Sequence, residues 1–471
     1  MKDYELYFLL GKLTWAFFVF AFGSCVGSLI NVLVYRLPLG LSVMTPPSRC
    51  PACETRLTWR ENIPIFGWII LRGKCRFCRS RISPEYPIVE AVTGLLFLGV
   101  FALWYLMPHD ATLWGIRWGD LRPHWTYGDL REGWPRNSWP LFVIMLGLLG
   151  SLVAMTIVDA KTFTIPLAMP WFATVVGLAG HPLFALYCQY AQNPPRLGPF
   201  ITGGMGKSIQ GFGEIITTHQ AWIFPTPATW PTIYAAIAGV VGIGVSMLLV
   251  RLGIFTRSFS DYDEWEKQAH ADAEKANAAN LPEAPADGGA TAPREKEPTD
   301  AEPTRAGPEM WIQYPHARRE MIKEMAFVAP CVLLGYATWY LLQNTHFEAG
   351  PSLFMQVLGG VLLGYLIGGG IVWLVRIGGS LGFGKEAMGL GDVHLMAAVG
   401  ACLGWQDSVL GFFGAAFVGI LWVLVSAIFT RNANRALPYG PYLAISTVLI
   451  LLLKPWVSEL LGKFGLGMIF E

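Results

Sequence analysis

Apolar positions along this chain fall in long, nearly unbroken runs, not in the mixed pattern of a soluble fold. A helix needs roughly 20 such residues to cross the hydrocarbon core of a bilayer. Runs near that length occupy residues 15–34, 88–107, 140–158, 166–188, 233–250, 325–342, 358–375 and 409–429. Shorter runs occupy 395–403 and 442–453. The stretch 395–403 is either a half-span or the end of a helix starting near Met388. The pattern predicts an all-α polytopic membrane protein with about eight to ten transmembrane helices. Residues 15–34 are too long for a signal-peptide core, and no small-residue cleavage site follows them. An uncleaved first span is expected there.

The polar stretches set the orientation. Residues 35–87 carry Arg36, Arg49, Arg56, Arg60, Arg72, Lys74, Arg76, Arg79 and Arg81 against Glu54, Glu61 and Glu85. The positive-inside rule makes that loop cytoplasmic. Threading onward puts 107–139, 189–231 and 347–352 outside, and 159–161, 251–323 and 376–392 inside. The expected organisation is a first span over 1–34 and a cytoplasmic cysteine loop over 35–87. Helices with two long outer loops follow over 88–250, a cytoplasmic linker over 251–323 and a final helical block over 324–471. Within the linker, 258–308 turns to Ala, Glu, Pro, Asp and Lys, which cannot bury enough surface to fold. No repeat of fixed period runs through the chain.

Composition supports the membrane reading. Of 471 residues, 53% are hydrophobic and 14% charged, against roughly 25% charged in soluble domains. A net charge of +1 gives no electrostatic case for nucleic acid as a partner. The nineteen Trp residues suit the polar edges of a bilayer.

Two CxxC pairs stand in the cytoplasmic loop, Cys50-Pro-Ala-Cys53 and Cys75-Arg-Phe-Cys78. Each such turn offers two thiolates to one ion, and two turns close a tetrahedron around zinc. Four cysteines leave no open position, so the expected metal is structural. The alternatives are a redox pair or unliganded thiols. Cys25, Cys188, Cys331 and Cys402 lie in apolar runs and read as small hydrophobes.

Two aspartates sit at membrane boundaries. Asp159 ends the apolar run 152–158, and Asp392 lies in Gly389-Leu390-Gly391-Asp392, where the two glycines let another backbone approach closely. Ionisable groups at membrane depth are costly, and are paired or functional. Two carboxylates brought together share a proton, and one can then act as base while the other acts as acid. No GxSxG, HExxH or Walker-type motif competes with them. Glu90, Glu386 and His394 are further polar groups near these positions, with pairing or interfacial roles expected. Asn31 and Arg36 are expected to tie the end of the first span to backbone or lipid phosphate.

These residues resemble the bacterial type IV prepilin peptidases, which are GxGD aspartyl membrane peptidases. The likeness runs through Gly27-Ser28-Leu29-Ile30-Asn31-Val32 and Tyr35-Arg36-Leu37-Pro38, then the cysteine loop with Glu61-Asn62-Ile63-Pro64. It continues in Val158-Asp159 with Ile165-Pro166, in Gly389–Asp392 with Ala397-Ala398-Val399-Gly400, and in Leu437-Pro438-Tyr439-Gly440-Pro441-Tyr442. The resemblance implies cleavage of a short basic leader, after a Gly, from type IV prepilins or pseudopilins. It places that reaction at the cytoplasmic face of a bacterial inner membrane, with Asp159 and Asp392 as the catalytic pair. It also implies N-methylation of the new terminus from S-adenosylmethionine, an activity associated with the cysteine loop. Departures stand at His394, where the family usually has Lys, and at Leu167, where it often has Asp. Two alternatives remain from the residues alone: an intramembrane aspartyl protease with other substrates, and a non-enzymatic membrane transporter or assembly scaffold.

Overall fold

The computed structural model describes residues 2–108, 112–113, 116–117, 139–191, 229–262, 315–429 and 438–463, with 264–265, 267–269 and 271–272. Most of the two outer loops and the linker therefore lie outside the described residues. The rest is almost entirely helical: α1 Lys2–Arg36, α2 Phe66–Ile70, α3 Glu85–Phe101, α4 Trp139–Thr162 and α5 Ala168–Ala191 come first. Then follow α6 Trp230–Arg251, α7 Ala317–Leu342, α8 Leu353–Phe383, α9 Leu390–Leu403, α10 Trp405–Phe429 and α11 Gly440–Lys463. A wider turn, Ala102–Leu106, extends α3. The strand pair Thr112–Leu113 with Ile116–Arg117 is the one β element among the described residues.

Among the described residues, eight helices are long and apolar enough to cross a membrane, with shorter apolar helices at Leu390–Leu403 and Gly440–Leu453. This matches the eight to ten spans expected from the apolar runs. Inside a bilayer the backbone must satisfy its own hydrogen bonds, which leaves helix as the solution for each run. The ends carry local stop signals. Ser352 accepts from the Met355 N–H to start α8, and left-handed Gly384 (φ 70°) ends it. Gly404 (φ 93°) breaks the chain between α9 and α10. The run at 395–403 is the end of a helix that begins at Leu390, next to Met388.

Large apolar side chains such as Phe17, Leu333, Leu341, Phe417 and Leu421 are exposed on the outer faces, where lipid would cover them. The interior is built from α4, α5, α8, α9 and α11, around Leu148, Met155, Val158, Val361, Leu395, Met396 and Leu443. Short α9 lies deepest, with a continuous run from Leu395 to Cys402 buried.

Glycines bring α8 and α9 into backbone contact. A Cβ on Gly400 would overlap the Gly364 carbonyl, a Cβ on Gly364 would overlap the Gly400 carbonyl, and one on Gly368 would overlap the Met396 carbonyl. From another side, a Cβ on Gly177 of α5 would lie 2.9 Å from the Ala401 carbonyl oxygen. The same device joins α1 to α3, where a Cβ on Gly27 would stand 2.6 Å from the Glu90 Cα. Small residues at helix crossings are how membrane helices gain close packing without a hydrophobic drive.

Gly400→Ala is therefore expected to cost about 1–3 kcal/mol, the usual penalty of overpacking a filled contact. Gly370→Ala, on the same helix as Gly364 but with open space at its Cβ, should leave stability unchanged or slightly raised. Thermal unfolding of the two variants in one detergent measures the contrast.

Candidate active site and metal centre

Asp159 lies in the last turn of α4 and Asp392 in the first turn of α9. Both are buried, at 5% and 7% exposure. The loop between α4 and α5 is the hinge of their arrangement. Ile165 packs on the backbone of both neighbouring glycines: its Cβ is 2.9 Å from a Cβ built on Gly391, and its Cδ1 is 3.4 Å from one built on Gly440. Gly440 opens α11 and donates its N–H to the Asp159 Oδ2 at 3.1 Å. A side chain at Gly440 would collide with that oxygen. Gly391, beside Asp392, and Gly440, bonded to Asp159, thus flank one isoleucine. The two carboxyl groups lie within electrostatic reach of each other.

Three further observations fix the surroundings. Lys161 Nζ pairs with Glu85 Oε2 at 2.6 Å, so the Asp159 end of α4 stands beside the start of α3. His394 is half-buried and faces the Trp171 ring, with centroids 6.5 Å apart. Tyr439, next to Gly440, packs against the same core.

The cysteine loop folds as two copies of one small knuckle. Cys50 N–H donates to the Thr55 carbonyl and Cys75 N–H to the Ser80 carbonyl, at 3.0 and 2.9 Å. Leu57 N–H returns to the Ser48 carbonyl and Ile82 N–H to the Gly73 carbonyl, at 2.9 and 2.8 Å. Bridges Arg49–Arg56 and Lys74–Arg81 close the two hairpins. Glu54 and Arg79 both take positive φ, 55° and 59°. Every pairing repeats at an offset of 25 positions, as from Cys50 to Cys75. The repeat is also visible in the side chains, where Arg49-Cys50, Cys53 and Thr55-Arg56-Leu57 answer to Lys74-Cys75, Cys78 and Ser80-Arg81-Ile82, but it is confined to this loop.

The duplication aims four sulfurs at one point. All four lie within 4.8 Å of one another. Cys50 and Cys78 are 3.8 Å apart, and Cys53 and Cys75 3.9 Å. Zinc–sulfur bonds of about 2.3 Å in a tetrahedron need sulfurs about 3.8 Å apart. The donor set fits a structural zinc ion. Burial works against a thiolate at Cys50. The backbone N–H groups of Cys53 and Ala52 and the Ser80 hydroxyl outweigh it and bring the thiol down to about 6.

Polar contacts join this loop to the helices. Glu90, buried in α3, accepts from the Ile65 N–H at 2.6 Å. Asn31 donates to the Tyr86 carbonyl at 3.1 Å. Arg36 donates to the carbonyls of Ser42, Val43 and Pro46. The expected ties from Asn31 and Arg36 thus go to backbone, and Glu90 is a pairing group.

Comparison with known proteins assigns the architecture. Residues 21–104 match the bacterial peptidase A24 N-terminal domain, and residues 325–424 match the type IV leader peptidase family. A type 4 prepilin-like proteins leader peptide-processing enzyme of Escherichia coli O78:H11 is 35% identical over 274 residues, half of this chain and 86% of that protein. The chain belongs to the type IV leader peptidase family. A prepilin leader peptidase/N-methyltransferase of Aeromonas salmonicida is 36% identical over 51% of this chain and 84% of its own length. One of Myxococcus xanthus is 36% identical over 164 residues. The chain spans only 39% of that Myxococcus relative and 46% of a Klebsiella pneumoniae one. No solved structure matches it. Within the family match, 325–424 contains Asp392, whereas Asp159 lies between the two matched regions.

Sequence reasoning left out one charged group near the site, Arg376 of α8. Its side chain is 2% exposed and ion-paired to Glu324 of α7 at 3.0 Å and to Glu386 at 2.5 Å. The signal available was an arginine inside an apolar span, which is a functional-site hypothesis by default. Glu386 is the pairing group that its position suggested.

Purified protein should contain about one zinc per chain, and Cys75→Ser should lose it. Elemental analysis decides this, and a metal-free wild type would remove the site.

Proposed function

We propose that this chain is a membrane aspartyl endopeptidase that cuts the leader from type IV prepilins or pseudopilins, with Asp159 and Asp392 as the catalytic pair. The observation that carries the reading is the convergence of two buried carboxylates, 233 positions apart in sequence, around Ile165. In this reading the pair shares one proton. The ionised member takes a proton from water as that water attacks the scissile carbonyl carbon. The protonated member donates a hydrogen bond to the carbonyl oxygen and then passes its proton to the leaving amine. Which aspartate starts as base is a property of the coupled pair.

The site faces the cytoplasm of a bacterial inner membrane. Supporting this, the Lys161–Glu85 ion pair puts Asp159 at the membrane side from which the arginine-rich cysteine loop emerges, and basic loops stay inside. A basic leader would approach from that side, with the following apolar helix still in lipid. The buried amide of Gly440 keeps one Asp159 oxygen oriented while the other remains for water.

The same chain would N-methylate the new amine. The intact cysteine loop and the combined names of the curated relatives support this. S-adenosylmethionine would supply the methyl group, and zinc would hold the loop's shape without touching either substrate.

Asp159→Asn and Asp392→Asn should each lower cleavage of a substrate with a Gly–Phe junction by at least about a hundredfold, the scale of lost acid–base catalysis. Membrane accumulation should persist. Full activity in either variant would refute the assignment. No cleavage by wild type, with zinc and lipid supplied, would favour a scaffold or transporter.

A further inference from the structure

Asp392 begins a helix, so its position depends on the turn that leads into that helix. The turn between α8 and α9 holds left-handed Gly384 and extended Gly389 (φ −71°, ψ 149°). The irregular turn that follows a span needs partners for its free backbone groups. Ala387 N–H donates to the Ser380 Oγ at 3.0 Å. A further tie comes from Arg376.

The guanidinium of Arg376 spends its donors on three partners in two elements, α7 and the turn before α9. Nε and Nη2 meet the Glu324 carboxylate of α7 at 3.0–3.2 Å. Nη1 meets the Glu386 carboxylate at 2.5 Å and also donates to the Met388 carbonyl. Trp373 Nε1 secures the same Glu324 from one turn earlier on α8, at 2.7 Å. The Phe259 ring covers the guanidinium, 5.6 Å from its carbon, and Phe259 N–H is itself fixed by Glu320 at 2.7 Å. The Met388 carbonyl belongs to the peptide that enters Gly389, the residue before α9. Holding that carbonyl sets the plane of the peptide and so the direction in which α9 starts. Asp392 is four residues on, within reach of the Arg376 charge.

We propose that Arg376 is a positioning residue for Asp392. Its planar fork clamps Glu386 and the Met388 carbonyl against α7, so that the first turn of α9 presents its carboxylate at one fixed place beside Asp159. Arg376 does not touch the reacting atoms. The inference rests on the reading of Asp392 as a reacting group. Lysine cannot substitute: its ammonium is a single point, and reaching Glu324 means releasing the turn.

The test uses full-length protein in lipid nanodiscs and a peptide with a basic leader, a Gly–Phe junction and an apolar helix. Arg376→Lys should lower kcat at least about tenfold with KM within about twofold, since a misplaced group is lost at the reaction step rather than in binding. Amide hydrogen exchange should rise over 385–391 and stay at wild-type rates in α4 and α11. Glu386→Gln, a milder change at a half-exposed side chain, should shift both readouts the same way by a smaller factor. It decides the matter if the Arg376 variant does not accumulate. Wild-type kcat with unchanged exchange over 385–391 would overturn the inference. So would a kcat loss accompanied by faster exchange throughout the bundle. If Asp392→Asn keeps its activity, the assignment of Asp392 as a reacting group falls, while exchange over 385–391 still judges the clamp.

Discussion

Contact between the backbones of α8 and α9 is the constraint on which the rest of this molecule depends. Lipid is as apolar as leucine, so two helices in a bilayer gain little from hiding apolar side chains against each other. What remains is close packing, and Gly364, Gly368 and Gly400 allow it by bringing peptide groups into direct contact. Helix α9 spans only Leu390–Leu403, too short to cross a membrane alone. It survives because α5 and α8 enclose it. Enclosure places its first turn, with Asp392, at the base of the bundle and not in lipid.

The second constraint is electrostatic. A carboxylate removed from water must find donors or opposite charge. Three buried acids meet that demand from other elements. Asp159 takes the Gly440 N–H, Glu324 takes Arg376 and Trp373, and Glu90 takes the Ile65 N–H. These bonds do mechanical service as well. They attach α11 to α4, the turn before α9 to α7, and the cysteine loop to α3. The four-cysteine cluster and the two aspartates are thus parts of one framework, joined through the Lys161–Glu85 pair and the α1–α3 contact, although none of the four cysteines lies in the helical bundle.

Much of this was legible before any coordinates. The spans follow from run length, because a membrane leaves the backbone no choice but helix. The cysteine spacing pointed to four thiolates around one ion, because a CxxC turn has few other geometric uses in that pattern. The cost of an acid at membrane depth singled out Asp159 and Asp392. Other features were invisible for identifiable reasons. In the cysteine loop the backbone hydrogen bonds that make two matching knuckles were not legible, although paired side chains at an offset of 25 carry the pattern. Arg376 has no local motif, since its partners Glu324 and Glu386 are set by how α7 and the turn after α8 pack. Gly440 resembled part of a family motif, but its bond to Asp159 links positions 281 apart.

The amino-acid order alone determined the helical kind and the approximate number of the spans, and which residue types had chemistry to offer. Those are consequences of local composition acting against a uniform solvent, lipid or water. Tertiary structure decided which glycine amide holds Asp159, which isoleucine lies against both Gly391 and Gly440, and which arginine pairs with the acids of α7 and of the turn before α9. Such choices depend on distances between segments far apart in the chain, and no local pattern encodes a distance that only the packed helices create.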